Sequence, residues 1–153
     1  MKKFKFVFAS VLELKRRQEK KTLAALAESQ MRFKLEVEKK QILQRTLQEA
    51  LIRREAFAHG VEANPISIMH TEQDFIVGTK QRLIGADQAI LRARRNLEKT
   101  LRTYLLAKKE TRSIESLYEK AYQEFRRALV KREMKEEQDL SIMRARFNSG
   151  GIF

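Results

Sequence analysis

Residues 67–147 read SIMHTEQDFIVGTKQRLIGADQAILRARRNLEKTLRTYLLAKKETRSIESLYEKAYQEFRRALVKREMKEEQDLSIMRARF, with no proline and with Gly78 and Gly85 as the only glycines. Apolar residues return about every seven positions, at Ile76, Leu83, Ile90, Leu97, Tyr104, Tyr118 and Phe125. Between them sit Ala86, Ala93, Leu101, Ala107, Ile114, Ala121, Tyr122, Ala128 and Leu129. A seven-residue repeat with apolar groups at two phases draws a narrow stripe along a helix, the seam of a coiled coil. At 1.5 Å per residue such a helix runs to about 120 Å, several times the width of a compact domain of this mass. The expectation is a rod.

Upstream, a weaker stripe runs from Val11 to Ala58 through Leu12, Leu23, Leu26, Phe33, Val37, Leu43, Leu47, Leu51 and Phe57. Lys15, Glu19, Gln30, Lys40 and Arg54 occupy seam slots, a composition suited to one side of an intramolecular hairpin rather than a tight dimer. Acid-first pairs at i,i+4 support this helix: Glu13–Arg17, Glu28–Arg32, Glu36–Lys40 and Glu49–Arg53. Ser10-Val11-Leu12-Glu13 reads as a capping box opening it, with an earlier start left open. Phe4, Phe6 and Phe8 form a lead-in, extended or helical, because a lone strand has no partner.

Gly60 is expected to stop helix one, and Asn64-Pro65 marks a turn, with Ser67 or Thr71 capping helix two. A short connector makes the two helices antiparallel neighbours. The expected layout is an all-α antiparallel two-helix coiled-coil hairpin: lead-in 1–9, helix one 10–59, connector 60–67, helix two 68–147, loose tail 148–153. Counting back from a turn near residue 63 sets Ser10 opposite about Leu117 and Phe4 opposite about Tyr122. Helix two then overhangs at its C-terminal end, from about Phe125 to Phe147, still carrying Leu129, Met134, Leu140, Met143 and Phe147. Residues 131–139 break the stripe's phase and read as solvated.

The 153 residues carry a net charge of +13, with 35% charged residues and only five glycines and one proline. That composition marks a long helix and excludes sheet-rich or disordered classes as first readings. The basic excess favours an anionic partner without choosing among nucleic acid, lipid and acidic protein. Cysteine is absent, excluding disulfides and thiolate metal sites. No run is apolar enough for a signal core or a membrane span, so a cytoplasmic protein is the default.

Catalytic chemistry is missing. His59 and His70 lack the ligand spacing of a metal site, no glycine-rich phosphate loop exists, and a two-helix rod has no pocket for a substrate. The expectation is a non-enzyme without cofactor or metal. Basic groups at 15–17, 39–40, 53–54 and 92–95 lack interleaved aromatics, and Tyr118, Tyr122 and Phe125 lie at seam spacing rather than forming a stacking platform. A basic nucleic-acid-associated coiled coil is the alternative, and a homo-oligomeric structural coiled coil a third reading.

Both ends of the chain carry a resemblance. Phe4-x-Phe6 followed by Val11-Leu12-x-Leu14 and Glu19 resembles the opening of the flagellar export protein FliJ family. Glu136-Glu137-Gln138-x-Leu140 leading to Met143-Arg144-Ala145-Arg146 is similar to that family's close. The resemblance implies an antiparallel two-helix coiled coil similar to the central stalk of rotary ATP synthases. It implies a place in the centre of a hexameric export ATPase ring, contact with the cytoplasmic domain of the export gate, and handling of export chaperones. It also implies a cytoplasmic protein, peripheral at the inner membrane, with no direct membrane or nucleic-acid partner. The injectisome counterpart has the same shape and role.

Carried onto this chain, ring contact falls to the overhang and lead-in: Phe4, Phe6, Arg132, Met134, Gln138, Leu140, Met143, Arg144 and Phe147. Gate contact falls near the hairpin tip, loosened by Gly78 and Gly85. There Phe75 lies off the seam, and Thr79 and Arg82 share its face at i+4 and i+7 spacing. Gln41 and Gln48 join them from helix one, although residues 41–52 lack the aromatics often found there in the family.

Overall fold

The computed structural model describes residues 3–59 and 65–149. Two helices carry almost all of them, α1 at Ala9–Ala58 and α2 at Pro65–Ser149. The fold is an all-α antiparallel two-helix coiled-coil hairpin, and no strand occurs among the described residues. They divide into two units, one of residues 3–19 with 107–149, the other Lys20–Leu106.

The start of α1 departs from the expected capping box. Leu12 N donates to Phe8 O at 2.9 Å, so Phe8 occupies the capping position and Ser10 lies within the first turn. Glu13 turns to Arg17 instead of reaching back. A charged partner one turn on outcompetes a neutral backbone amide. α2 begins at Pro65, three residues before the expected start. Proline suits a first helical position because the N–H it lacks would be unpaired there, and its φ is already near helical. Ser67 and Thr71 are therefore inside the helix, Thr71 donating to Ser67 O at 2.9 Å. Asn148 and Ser149, expected past the end of helix two, are helical. The expected stop at Gly60, the turn at Asn64 and the tail at 150–153 lie outside the described residues.

In the Lys20–Leu106 unit the helices run antiparallel. Ser29 meets Thr100, Lys40 meets Asp87 and Arg53 meets Glu72. Inward residues alternate at three- and four-residue steps, the spacing of a coiled-coil seam. On α2 they are Ile76, Thr79, Leu83, Ala86, Ile90, Ala93, Leu97, Thr100 and Tyr104. Those of α1 are Thr22, Leu26, Ser29, Phe33, Glu36, Lys40, Leu43, Leu47, Ala50, Arg54 and Phe57. The seam is thus one place off the sequence reading at five points: Thr22, Ser29, Glu36 and Ala50 stand for Leu23, Gln30, Val37 and Leu51 on α1, and Thr100 for Leu101 on α2. Thr22, Ser29 and Ala50 face inward, and Leu23 is 47% exposed. Thr100 replaces Leu101, which is 42% exposed. Small hydroxyl and alanine side chains fill slots that hydropathy does not flag, because a helical hydroxyl can bond the carbonyl one turn back. Thr79 does so with Phe75 O at 2.8 Å while fully buried.

Two of the expected i,i+4 pairs form, Glu13–Arg17 and Glu28–Arg32. The others are redirected: Lys40 pairs with Asp87 on α2 and Arg53 with Glu72, while Glu36 takes Lys39. An exposed same-helix pair contributes only about 0.2–0.5 kcal/mol, so a cross-helix carboxylate readily outcompetes it.

The other unit pairs the start of α1 with the later part of α2, also antiparallel. Lys15 reaches Glu110 at 2.6 Å, and Arg16 reaches Glu115 with two nitrogens at 2.9 and 3.1 Å. Leu12 and Ala107 are buried, and Thr111 is 2% exposed, its hydroxyl within 3.3 Å of Lys15 O. Here residues 3–8 stand where a helix partner would be. They are not helical, yet they carry the aromatic side chains that cover α2.

Candidate partner-binding surfaces

Phe4 and Phe6 lie side by side on α2. The Phe4 ring sits 5.6 Å from Tyr118, 5.4 Å from Tyr122 and 5.4 Å from Phe125, and meets both tyrosines edge to face. Phe6 meets Tyr118 at 5.2 Å and Phe8 at 5.8 Å. Edge-to-face geometry places positive ring edges on negative ring faces, worth about 0.5–1.5 kcal/mol per pair beyond burial. Phe4 and Phe6 alternate along an extended segment, so both point to one side, and Tyr118, Tyr122 and Phe125 share one face of α2. Phe4 and Phe6 are half-buried in this cluster, and they leave Tyr118 and Tyr122 about 40% exposed.

Past Leu129 every described residue of α2 is exposed through Ser149. Of the residues expected to touch a ring, Arg132, Met134, Gln138, Leu140, Met143, Arg144 and Phe147 all lie there. Arg132 is held by Glu136 at 3.3 Å, one turn on. Leu140, Met143 and Phe147 succeed one another at three and four residues, so they share a face, and Phe147 is 90% exposed. Ile142, exposed on a neighbouring face, and Val130 were not singled out from sequence. Their signal is apolar side chains on a helix whose seam slots have turned polar: Arg132, Lys135 and Asp139 continue the seam spacing after Phe125.

The residues expected to touch a gate divide. Gln41 and Gln48 are exposed on α1, and Arg82 is exposed on α2 with its guanidinium 5.9 Å over the half-buried Phe75 ring. Thr79 does not share that surface. It is wholly buried in the seam, because the three- and four-residue alternation from Ile76 to Leu83 places it inward. Gly85 is exposed, and a methyl group there would meet nothing within 4 Å. At Gly78 it would meet only Arg82, at an ordinary 3.7 Å. Neither glycine is required by the packing of the helix pair.

No group of three or more metal-ligating side chains occurs among the described residues, and His70 is exposed. No helix among them is long and apolar enough to cross a membrane. The family model described as flagellar FliJ protein matches residues 4–149, from the first aromatic of the cluster to the last residue of α2. The chain belongs to the flagellar FliJ protein family. Comparisons with curated proteins and with solved structures find no match. Membership makes the chain a component of flagellar protein export rather than an enzyme. The aromatic lead-in and the exposed end of α2 both fall inside the matched region.

Proposed function

We propose that this protein is the stalk of the flagellar export apparatus, joining a hexameric export ATPase ring to the export gate at the cytoplasmic face of the inner membrane and assisting export chaperones. The supporting observation is the run of exposed residues at 130–149, helical and without a partner helix, bearing Leu140, Met143 and Phe147 on one face. An isolated helix gains little stability without a packed face, so such an end is suited to completion by another molecule. A ring's central hole supplies that completion from several sides at once. The Phe4 cluster fixes the base of this end against the lead-in segment ahead of α1. At the opposite end of α2, the Phe75–Arg82 surface and the open face at Gly85 are the proposed gate contact.

The test is the ATPase of the purified export enzyme with and without this protein. Native protein is expected to raise hydrolysis and to co-sediment with the hexamer, and the Met143→Lys/Phe147→Lys variant to do neither while keeping its melting temperature. Unchanged stimulation by that variant would remove the ring assignment. Phe75→Ala with undiminished binding to the gate's cytoplasmic domain would remove the gate assignment.

A further inference from the structure

The seam uses one set of apolar residues on α2, and a second set lies outside it. Val77, Ile84, Leu91 and Leu105 repeat at seven-residue spacing and are 46, 62, 48 and 52% exposed. Glu98 interrupts the row, and exposed Leu101, one turn on, bridges the gap. All lie in the Lys20–Leu106 unit.

The spacing carries information. A straight α-helix drifts by about 20° per heptad against a seven-residue row, so apolar groups held at that spacing follow the supercoil of the helix pair. Asp87 and Gln73, bonded to Lys40 and Arg54, show that the neighbouring row of α2 borders α1. The Val77–Leu105 row is one step further out and runs beside the seam at the same pitch. A third helix wound into that supercoil would meet every member along about 42 Å.

The flanks are basic. Lys80 and Arg94 border the row on one side, Arg95 and Arg102 on the other. Residues 77–106 hold seven basic and two acidic side chains. Both carboxylates are occupied, Asp87 by Lys40 at 2.6 Å and Glu98 by Arg94 at 3.4 Å. Lys80, Arg95 and Arg102 make no ion pair among the described residues.

We infer that this row is a docking face for an acidic amphipathic helix of a partner protein. That helix lays its apolar stripe along Ile84, Leu91, Leu101 and Leu105 and sets carboxylates against Lys80, Arg95 and Arg102. A second copy of the chain, itself at +13, would bring like charges together. A membrane surface calls for a wide apolar face, whereas this one is a single residue wide with a glutamate in its line. Nucleic acid would engage the cations and leave the leucines exposed. The face shares no residue with the proposed ring and gate contacts and stands independently of them.

The probe is a fluorescein-labelled peptide of about four heptads, with leucines at the seam positions and glutamates beside them, titrated with the full chain by anisotropy. A peptide with lysine for each glutamate is the control. The acidic peptide is expected to bind and the lysine peptide not to. Ile84→Ser/Leu91→Ser is expected to weaken binding by about tenfold or more, since burying a leucine is worth about that factor. Arg95→Glu/Arg102→Glu is expected to weaken it similarly without touching an apolar contact, which keeps the test decisive if the serines disturb folding. Failure of the native chain to bind the acidic peptide, or equal affinity in both variants, would overturn the inference. So would binding of phosphatidylglycerol vesicles or poly(U) RNA in place of the peptide. Self-association of the native chain that the serine variant abolishes would assign the face to a second copy instead.

Discussion

Ser29 and Thr100 face each other across the helix pair, hydroxyl oxygen to hydroxyl oxygen at 2.7 Å. Ser29 Oγ is also 2.8 Å from Leu26 O, and Thr100 Oγ1 is 3.0 Å from Leu97 O. Two hydroxyl protons serve three bonds, so at any moment one hydroxyl donates across the seam while the other donates to its own helix. Ser29→Ala therefore leaves Thr100 a carbonyl to bond and strands no donor. The expected loss in urea unfolding is about 0.5–1.5 kcal/mol, with Ser29→Ala/Thr100→Ala costing less than the two single changes together. Additive losses would mean that the bond across the seam contributes nothing.

Ile76 and Leu101, both expected in the seam, differ widely in burial. Ile76 is 1% exposed, and Ile76→Ala removes three carbons from a packed seam at a cost of about 2–4 kcal/mol. Leu101→Ala, at 42% exposure, is expected to stay near the surface range of about 0.5 kcal/mol. Comparable losses for both, measured by thermal unfolding followed by circular dichroism, would restore Leu101 to the seam.

That contrast shows how far the sequence could be read. Ile76, Leu83, Ile90, Leu97 and Phe125 announce the seam because burial selects apolar groups at a fixed period. Thr79, Thr100, Thr111, Thr22 and Ser29 share the same rows but are invisible to hydropathy, since a helix satisfies their hydroxyls internally. Chain counting alone set Phe4 opposite Tyr122, and the rings lie 5.4 Å apart. The destination of Arg53 was not legible, because same-helix and cross-helix carboxylates look alike until the register is known. Of the candidate contact residues, those past Leu129 could be placed on exposed helix from length alone. Thr79 could not, because spacing from Phe75 does not say which face the seam takes.

Gly85 costs its helix about 1 kcal/mol relative to alanine, and a methyl group there meets nothing within 4 Å. Gly85→Ala is expected to raise stability by about that amount, and Gly78→Ala to do nearly as well. Swimming assays on the same variants separate drift from function. A more stable protein with unimpaired export leaves the glycine face without a role, and a more stable protein that exports poorly assigns it one.

Phe4→Ala removes three ring contacts from the α2 face. At about 0.5–1.5 kcal/mol for each aromatic pair, and with Phe4 only half-buried, the expected loss is about 1–3 kcal/mol. It should be local. Hydrogen exchange is expected to quicken around Tyr118, Tyr122 and Phe125 and to stay unchanged near Ile76. Val7→Ala, at 86% exposure in the same segment, is the control and should alter neither region.

Truncation after Leu129 separates stability from partner binding. Residues 130–149 are exposed throughout, and the one ion pair among them, Arg132–Glu136, joins neighbouring turns of α2. Their removal deletes helix without deleting packing, because the last inward side chains are Phe125 and Leu129. The melting temperature is expected to hold while helical signal falls in proportion to the residues lost. In the full chain the same amides should exchange with little protection, since a helix without a packed face frays on its own. Addition of the export ATPase hexamer is then the deciding measurement. Protection appearing over 130–149 and nowhere in the Lys20–Leu106 unit would show the ring completing this end. Strong protection in its absence would mean that the helix needs no partner there.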